Sequence, residues 1–358
     1  MRQSQENESA FGEGSSIATP APIVALEEAV AIAEREYGIV STAQRLIGER
    51  DQNFRLLQQD GSQFAFKLIH PAEDLAVTNF QTSVLLHIER TDPTLPIQRI
   101  VATRDGLKEK RVSLEDGTLR MMRMTSFLPG VIVRGLPTSH QRSRNLGCVL
   151  AEIQLALADF THPADDFEIP WDIKHTSKQR AVLTEIETAE KRRSMEAGLE
   201  RFERRAQPAL KNLRSHVVHN DLSGDNVVVD PTNNDLIAGV LDFGDATRTA
   251  VINDVAVAVA YSIRSGEDLL GAALSLLSGF HSVRPLLASE LDLLLDLIIA
   301  RMVVRIGISE WRGKRFPENV EYIRRNTAEA WSALERLLQL DPNQTTAAFY
   351  KTCGMEQT

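Results

Sequence analysis

Apolar residues recur at helical spacing over residues 23–37, and Gly38 follows as a left-handed stop, so the fold is expected to open with one helix. Strand-like runs come next at 40–47, 54–58 and 63–69, the last two joined by an Asp60-Gly61 hairpin turn, which predicts an antiparallel meander. A helix is predicted over 75–89, then strands near 97–102 and 119–127, the latter running into Leu128-Pro129-Gly130. Behind the opening helix, five strands and one helix thus make up a small first lobe. After Pro137 the pattern becomes long and helical, broken by one strand-rich island over 217–243. The most apolar stretch, 286–308, carries Glu290, Asp292, Asp296, Arg301 and Arg305, charges that hydrocarbon would penalise heavily, so it predicts a packed helix and no membrane partner.

Length adds a division to this picture. With 358 residues, two lobes with a cleft suited to small ligands are a better expectation than a single core. Residues 1–20 are rich in Ser, Glu and Gly and lack the apolar core of a signal peptide, and they are set aside as a tail. No internal period marks a solenoid. A net charge of -9 repels a nucleic-acid backbone, which excludes nucleic acid as a partner. The basic runs Lys108, Lys110, Arg111 and Lys191, Arg192, Arg193 are short, interleaved with acids and read as solvated faces. Cys148 and Cys353, the two cysteines, form no C-x-x-C pair and fit a reduced, cytoplasmic setting.

The candidate chemistry lies in the strand-rich island. His219-Asn220-Asp221-Leu222-Ser223-Gly224-Asp225-Asn226 has an H-x-D-x-x-x-x-N spacing between the apolar runs Val217-Val218 and Val227-Val228-Val229. Such a spacing arises by chance in about one chain in fifty, so its neighbours decide its weight. After a turn at 231–235, a second apolar run ends in Leu241-Asp242-Phe243-Gly244-Asp245, and a hairpin of the two segments would present both loop ends together. Phosphoryl transfer needs this set: a carboxylate to orient a hydroxyl and take its proton, and an Asn with an Asp to hold magnesium against phosphates.

The stretch resembles the catalytic and metal-binding core of the aminoglycoside and choline kinase-like phosphotransferase superfamily. Asp242-Phe243-Gly244-Asp245 followed by Asn253-Asp254-Val255-Ala256 resembles its hydroxylysine kinase, homoserine kinase-like branch in particular. The resemblance spans residues 40–337 and implies an α+β, two-lobed protein kinase-like fold. Its N-lobe is a small antiparallel β-sheet, nucleotide-binding, over 21–128. Its C-lobe is larger and mainly helical, catalytic and substrate-binding, over 129–358. It makes Asp221 the catalytic base, Asn226 and Asp242 the Mg2+ ligands and His219 a brace for the loop, with Asp245 assisting the metal or meeting the substrate. Asp225 and Asp235 read as turn residues, and Asp254 reads as the cap of a following helix.

On the nucleotide side, Gly48-Glu49-Arg50-Asp51-Gln52-Asn53 resembles the phosphate-covering turn, which brings Gln52 and Asn53 to ATP. Lys67, in Phe64-Ala65-Phe66-Lys67-Leu68-Ile69, resembles the third-strand lysine that pairs with the nucleotide phosphates. That lysine usually meets a glutamate on the next helix, and no acid stands between Asp74 and Glu89 here. Either Asn79 or Gln81 serves as a neutral partner, or the lysine is positioned otherwise. Met124-Thr125-Ser126-Phe127-Leu128-Pro129-Gly130 resembles the hinge that meets adenine, with Ser126 and Leu128 as the contacts.

On the substrate side, the segment from His162-Pro163 to Trp171-Asp172 resembles one stretch of the hydroxylysine kinase branch, and the one from Arg301 to Arg312 with Trp311 resembles another. Trp171, Asp172, Arg301 and Trp311 are the candidates: an arginine for a carboxylate, Asp172 for an ammonium. The reading is an ATP- and Mg2+-dependent ATP:alcohol phosphotransferase of the EC 2.7.1 type, acting on the hydroxyl of a small amine-bearing metabolite of hydroxylysine or homoserine kind. Two alternatives stay open: an aminoglycoside phosphotransferase, and a catalytically impaired nucleotide-binding module. A protein kinase is disfavoured, since no A-P-E segment follows Asp242. No feature of the sequence speaks for an oligomeric state.

Overall fold

A computed structural model describes residues 22–46, 48, 50–263 and 268–356; the expected tail, Ile47 and Glu49 lie outside the described residues. The described chain divides into two compact units, residues 22–129 with His162–Asp165, and Gly130–Thr161 with 166–356.

The first unit opens with α1 (Leu26–Tyr37), stopped by Gly38 in the left-handed region at φ 77°. Strands β1 (Thr42–Leu46), β2 (Gln52–Leu57) and β3 (Gln63–Leu68) form the meander, and α2 (Leu75–Thr91) follows. Asp74 begins α2 by accepting the N–H of Ala76 on its side chain. β4 (Ile100–Val101), β5 (Lys110–Ser113) and β6 (Leu119–Ser126) complete an antiparallel sheet of order β1-β2-β3-β6-β4, with β5 also on β6. Alternation sends Phe54, Leu56, Phe66, Leu68, Met122 and Met124 into one core against Ile32, Ala33 and Tyr37 of α1. The sixth strand corrects the expected count of five. β5 holds a single buried residue, Val112, and its Lys-Arg start resembles a solvated face until it pairs with β6. Lys110, assigned no role from the sequence, bridges Glu36 and Asp105 at 2.8 Å each.

The second unit holds β7 (Val131–Ile132), α3 (His140–Ala156), a run of 3₁₀ turns at Ile173–Glu185, and α4 (Ala189–Arg201), which passes through a π-type turn into α5 (Gln207–Leu210). Next come β8 (Ser215–Val218), β9 (Val227–Asp230), β10 (Asn233–Val240) and β11 (Thr247–Ala250). The remainder is helical: α6 (Val251–Ser262), α7 (Gly271–Val283), α8 (Ala288–Arg315), α9 (Val320–Arg324), α10 (Thr327–Leu338) and α11 (Pro342–Thr352). The strand-rich island makes two small sheets, β10-β9-β7 and β11-β8. The 28-residue α8 is buried over most of its length, and its inward acids are paired, Glu290 with Arg214 and Asp296 with Arg201 and Arg205. Among the described residues no helix is long and apolar enough to cross a membrane.

Candidate active site

Because β8 pairs with β11 while β9 pairs with β10, the loops at 219–226 and 241–246 both run between the same two sheets and lie side by side. Leu241 N–H donates to the Asn226 carbonyl at 2.8 Å. His219, fully buried, ties the loops again: Nε2 donates to the Leu241 carbonyl at 2.9 Å, and Nδ1 accepts the Asp221 N–H at 3.2 Å. A ring that donates at one nitrogen and accepts at the other is a neutral imidazole, so the geometry assigns its proton to Nε2. Its ring also meets Phe243 edge-on at 4.6 Å.

Each loop contains one non-glycine residue in the left-handed region, Asn220 at φ 64° and Asp242 at φ 57°. That conformation costs roughly 1–2 kcal/mol per residue and persists only where neighbours enforce it. At Asn220 the enforcer is Asp254, whose Oδ1 accepts the Asn220 N–H at 2.8 Å. At Asp242 it is the residue's own carboxylate, which accepts the Gly244 N–H at 3.1 Å.

Asp221 is the most constrained group of the site. Its Oδ2 accepts from Asn226 Nδ2 at 2.8 Å, and its Oδ1 accepts from Arg301 Nη2 at 2.9 Å and from the Tyr261 hydroxyl at 3.1 Å. The Arg301 side chain is 1% exposed and that of Asp221 23%. Burial raises the Asp221 pKa and the nearby Asp245 adds to the rise; Arg301 opposes both, and the net position is about 6. Asn226 Nδ2 also donates to the Asp221 carbonyl at 2.9 Å, which leaves its amide oxygen as the atom able to face a cation. Asp242 is exposed at the surface of the second loop, and Asp245 closes the 3₁₀ turn that follows it.

Asp254 departs from the sequence reading. It does not cap α6, whose N-cap is Ala250 with no side-chain bond; it lies fully buried against the 219–226 loop, where burial raises its pKa. Its Oδ2 accepts from Gln154 Nε2 at 2.9 Å, Gln154 Oε1 accepts from Arg284 at 3.2 Å, and Arg284 reaches His216 Nε2 at 2.6 Å. His216 Nδ1 lies 2.6 Å from the Val217 carbonyl and must donate to it, so this histidine is neutral too.

The substrate-side candidates separate. Arg301 is committed to Asp221, to Tyr261 and to the Trp171 carbonyl, with the Trp171 and Tyr261 rings centred 5.8 and 5.4 Å from its guanidinium carbon. Trp171 is partly exposed beside it. Asp172 is fully buried, starting the 3₁₀ turns by accepting the Lys174 N–H and bonding Thr249 at 3.1 Å, and the Lys174 ammonium lies 3.5 Å from its Oδ2, so the chain itself supplies its cation. Trp311 lies about 15 Å further along α8 at the ordinary helical rise and stacks under Arg315 at 5.3 Å.

A family model, the phosphotransferase enzyme family, matches residues 42–286. The chain belongs to this family. The phosphotransferase is 23% identical over 358 residues to the hydroxylysine kinase of Mus musculus, covering 94% of this chain and 95% of that protein. Among solved structures it resembles a microcompartment-associated aminopropanol kinase, with TM-score 0.61 and 18% identity over 91% of this chain and 98% of the other. It also resembles an amicoumacin kinase in complex with AMP-PNP, Ca2+ and Ami, with TM-score 0.62 and 14% identity over 84% and 91%. These identities establish a shared protein kinase-like fold, and family and relatives together make the protein a small-molecule phosphotransferase acting on an alcohol.

In the first unit of the phosphotransferase, the question of the lysine's partner has an answer. Lys67 Nζ lies 3.2 Å from Asp51 Oδ2, and Asp51 Oδ1 accepts the His70 N–H at 2.8 Å, so the carboxylate comes from the turn before β2 instead of from α2. Asn79 Nδ2 donates to Glu109 at 2.9 Å, and Gln81 meets Arg123 at 3.4 Å. Asn53 stands directly across the ladder from Lys67, and Gln52 accepts from Arg45. A Cβ on Gly48 would lie 2.4 Å from Asn53 Nδ2 and 2.6 Å from the Asp51 carbonyl, so the turn packs this tightly only around glycine. Ser126 spends its N–H and its hydroxyl on Arg99, at 2.8 and 2.9 Å, whereas Leu128 makes no backbone hydrogen bond among the described residues.

Sequence reasoning did not single out Asp51, Tyr261 or the bracing role of Asp254. Asp51 stood inside the quoted turn and Asp254 inside the quoted Asn-Asp-Val-Ala segment, so position signalled both; Tyr261 carried no local signal.

Proposed function

We propose that the protein is an ATP- and Mg2+-dependent kinase that phosphorylates the hydroxyl of an amine-bearing metabolite of hydroxylysine or homoserine kind, with Asp221 as the base. The observation that carries this reading is the Asp221 carboxylate, fixed by Asn226, Tyr261 and Arg301 yet still 23% exposed. A carboxylate so held can orient a hydroxyl and accept its proton without reorganising. Arg301 keeps a positive charge against it and lowers the cost of its ionised form.

The Asn226 amide oxygen and the Asp242 carboxylate are hard oxygen donors that suit magnesium. Among the described residues no cluster of three His, Cys, Asp or Glu side chains exists, and magnesium needs few protein ligands because water and phosphate oxygens complete its shell. Magnesium, when bound, neutralises charge on the phosphates of ATP. Lys67, held ready by Asp51, would pair with those phosphates, Gln52 and Asn53 would line the turn over them, and the unbonded backbone of Leu128 would receive adenine. Asp245 would assist the metal, and Trp171 would form part of the substrate wall. The mouse relative, named for hydroxylysine, supports a hydroxylated amino acid ahead of an aminoglycoside. The Asp51 pair weighs against the impaired binding module, whose motive was a lysine without a carboxylate.

The test is ADP release with magnesium and ATP over a panel of amino-acid alcohols, amino alcohols, amino sugars, choline and aminoglycosides, run beside Asp221→Asn. Turnover of one hydroxyl compound, reduced about 10³-fold in the variant with nucleotide binding retained, is the expected result. An Asp221→Asn protein as active as the wild type would refute the base assignment. ATP binding with no ADP release across the panel would favour the binding module.

A further inference from the structure

One charged group beside the site is left unused by the reading above. Arg305 lies one helical turn beyond Arg301 on α8, hence on the same face. Its guanidinium carbon sits 4.4 Å from the centre of the Tyr261 ring, whose hydroxyl bonds Asp221. It is partly buried, and among the described residues its one hydrogen bond is a weak contact with Met302 Sδ at 3.5 Å. Among the described residues it makes no ion pair, whereas Glu290, Asp296 and Arg301 of the same helix each have a charged partner. Withdrawal from water disfavours its charge and lowers its pKa; Tyr261, Asp221 and Glu329 counter this from a distance, and Arg301 repels it.

A half-buried guanidinium over an aromatic ring without a carboxylate partner is costly unless something supplies one. Resting on reading the site as a hydroxyl kinase, we propose that Arg305 binds the carboxylate of the substrate, which makes the substrate class hydroxylated amino acids and not plain amino alcohols or aminoglycosides. The planar fork can donate two parallel N–H···O bonds to a carboxylate, and the Tyr261 ring beside it, 4.4 Å from its carbon, supports it in place. Tyr261 thus touches the base at its hydroxyl and the carboxylate receptor at its ring, and it sets the distance between the reacting hydroxyl and the acid group. Two adjacent arginines also repel a polycation, which counts against aminoglycosides.

The test measures ADP release by the full chain on three forms of one substrate, namely a hydroxylated amino acid, its methyl ester and its decarboxylated amino alcohol. Wild type, Arg305→Gln and Arg305→Lys are compared. For the acid, Arg305→Gln is expected to raise KM about 100-fold with a much smaller change in kcat, and Arg305→Lys to recover part of the loss. Wild type is expected to lose the same factor on the methyl ester, with no further loss when Arg305→Gln is combined with the ester; this arm works on unmutated protein and does not depend on the variants folding. The inference is overturned if wild type uses ester, amine and acid equally well, or if Arg305→Gln lowers kcat/KM for acid and ester by one common factor. No ADP release by wild type with any of the three forms would overturn the kinase reading itself, and this inference with it.

Discussion

Asp221 in the second unit and Lys67 in the first are the charged groups on which the proposed chemistry turns, and they are held in opposite ways. The Asp221 carboxylate accepts three hydrogen bonds, and its counter-ion Arg301 is 1% exposed on a helix packed on every side. Lys67 lies 3.2 Å from the Asp51 carboxylate, with both side chains about one-fifth exposed and the acid on a turn. A pair that water reaches contributes little to stability and can trade its acid for a phosphate oxygen. A buried pair cannot trade without leaving a bare charge. The difference separates a preorganised group, whose position must not change during the reaction, from an exchangeable one whose partner changes when ligand arrives.

The largest effect should come from breaking the preorganised pair. Arg301→Met leaves the Asp221 carboxylate without its cation and frees Tyr261, and we expect a loss of about 3 kcal/mol in unfolding free energy together with at least about 100-fold in kcat. A denaturant titration and ADP release read the two effects separately. Arg301→Lys should restore little, because one ammonium cannot bond Asp221, Tyr261 and the Trp171 carbonyl at once. Wild-type kcat in Arg301→Met would end the contrast drawn above.

A comparable but pH-gated effect is expected further from the reacting atoms, at His216. Burial first, then the adjacent Arg284, lower its pKa from 6.5 to about 4. Between these values the unfolded chain binds the proton and the folded chain does not, so stability rises with pH across that window. The contribution is complete above about pH 6.5 and lost as pH falls through about 4, at most about 3 kcal/mol. Because His216 connects through Arg284, Gln154 and Asp254 to the Asn220 N–H, its protonation should loosen the 219–226 loop as well. The check is the slope of unfolding free energy against pH from 7 to 4 in wild type and in His216→Gln; equal slopes would refute the assignment.

The same contrast explains what could be read from the sequence. The antiparallel meander, the strand-rich island and the long helices follow from periodicity, since Phe54, Leu56, Phe66 and Leu68 alternate and 286–308 is apolar at helical spacing. β5 was invisible because four residues with one buried side chain have no period. In the candidate site, the contact of Asp221 with Asn226 was legible because a tight loop keeps its side chains at fixed sequence spacing. Tyr261, Arg301 as counter-ion and Arg305 were not, since α6 and α8 bring them in from 40 residues or more away. The burial of Asp172 beside Lys174 is not visible in residue type, and the acceptor role of Asp254 depends on the strained Asn220 backbone.

The smallest expected effect lies at the exchangeable pair and sharpens the comparison most. Asp51→Asn keeps an acceptor for the His70 N–H and removes the charge facing Lys67. If the pair merely parks the lysine until phosphate arrives, unfolding free energy should change by less than about 0.5 kcal/mol, as for an exposed ion pair. The KM for ATP should change by no more than about tenfold, and the KM for the alcohol should stay the same. Removing the charge has two opposing consequences for nucleotide: the lysine loses its orientation, but it no longer has a competitor for the phosphates. Double-mutant analysis separates them, because in Lys67→Ala the substitution at Asp51 should have no further effect on the KM for ATP if it acts through the lysine alone. Additive effects of the two substitutions would mean that Asp51 meets the nucleotide or its metal directly, and the first unit would then hold a preorganised acid of its own.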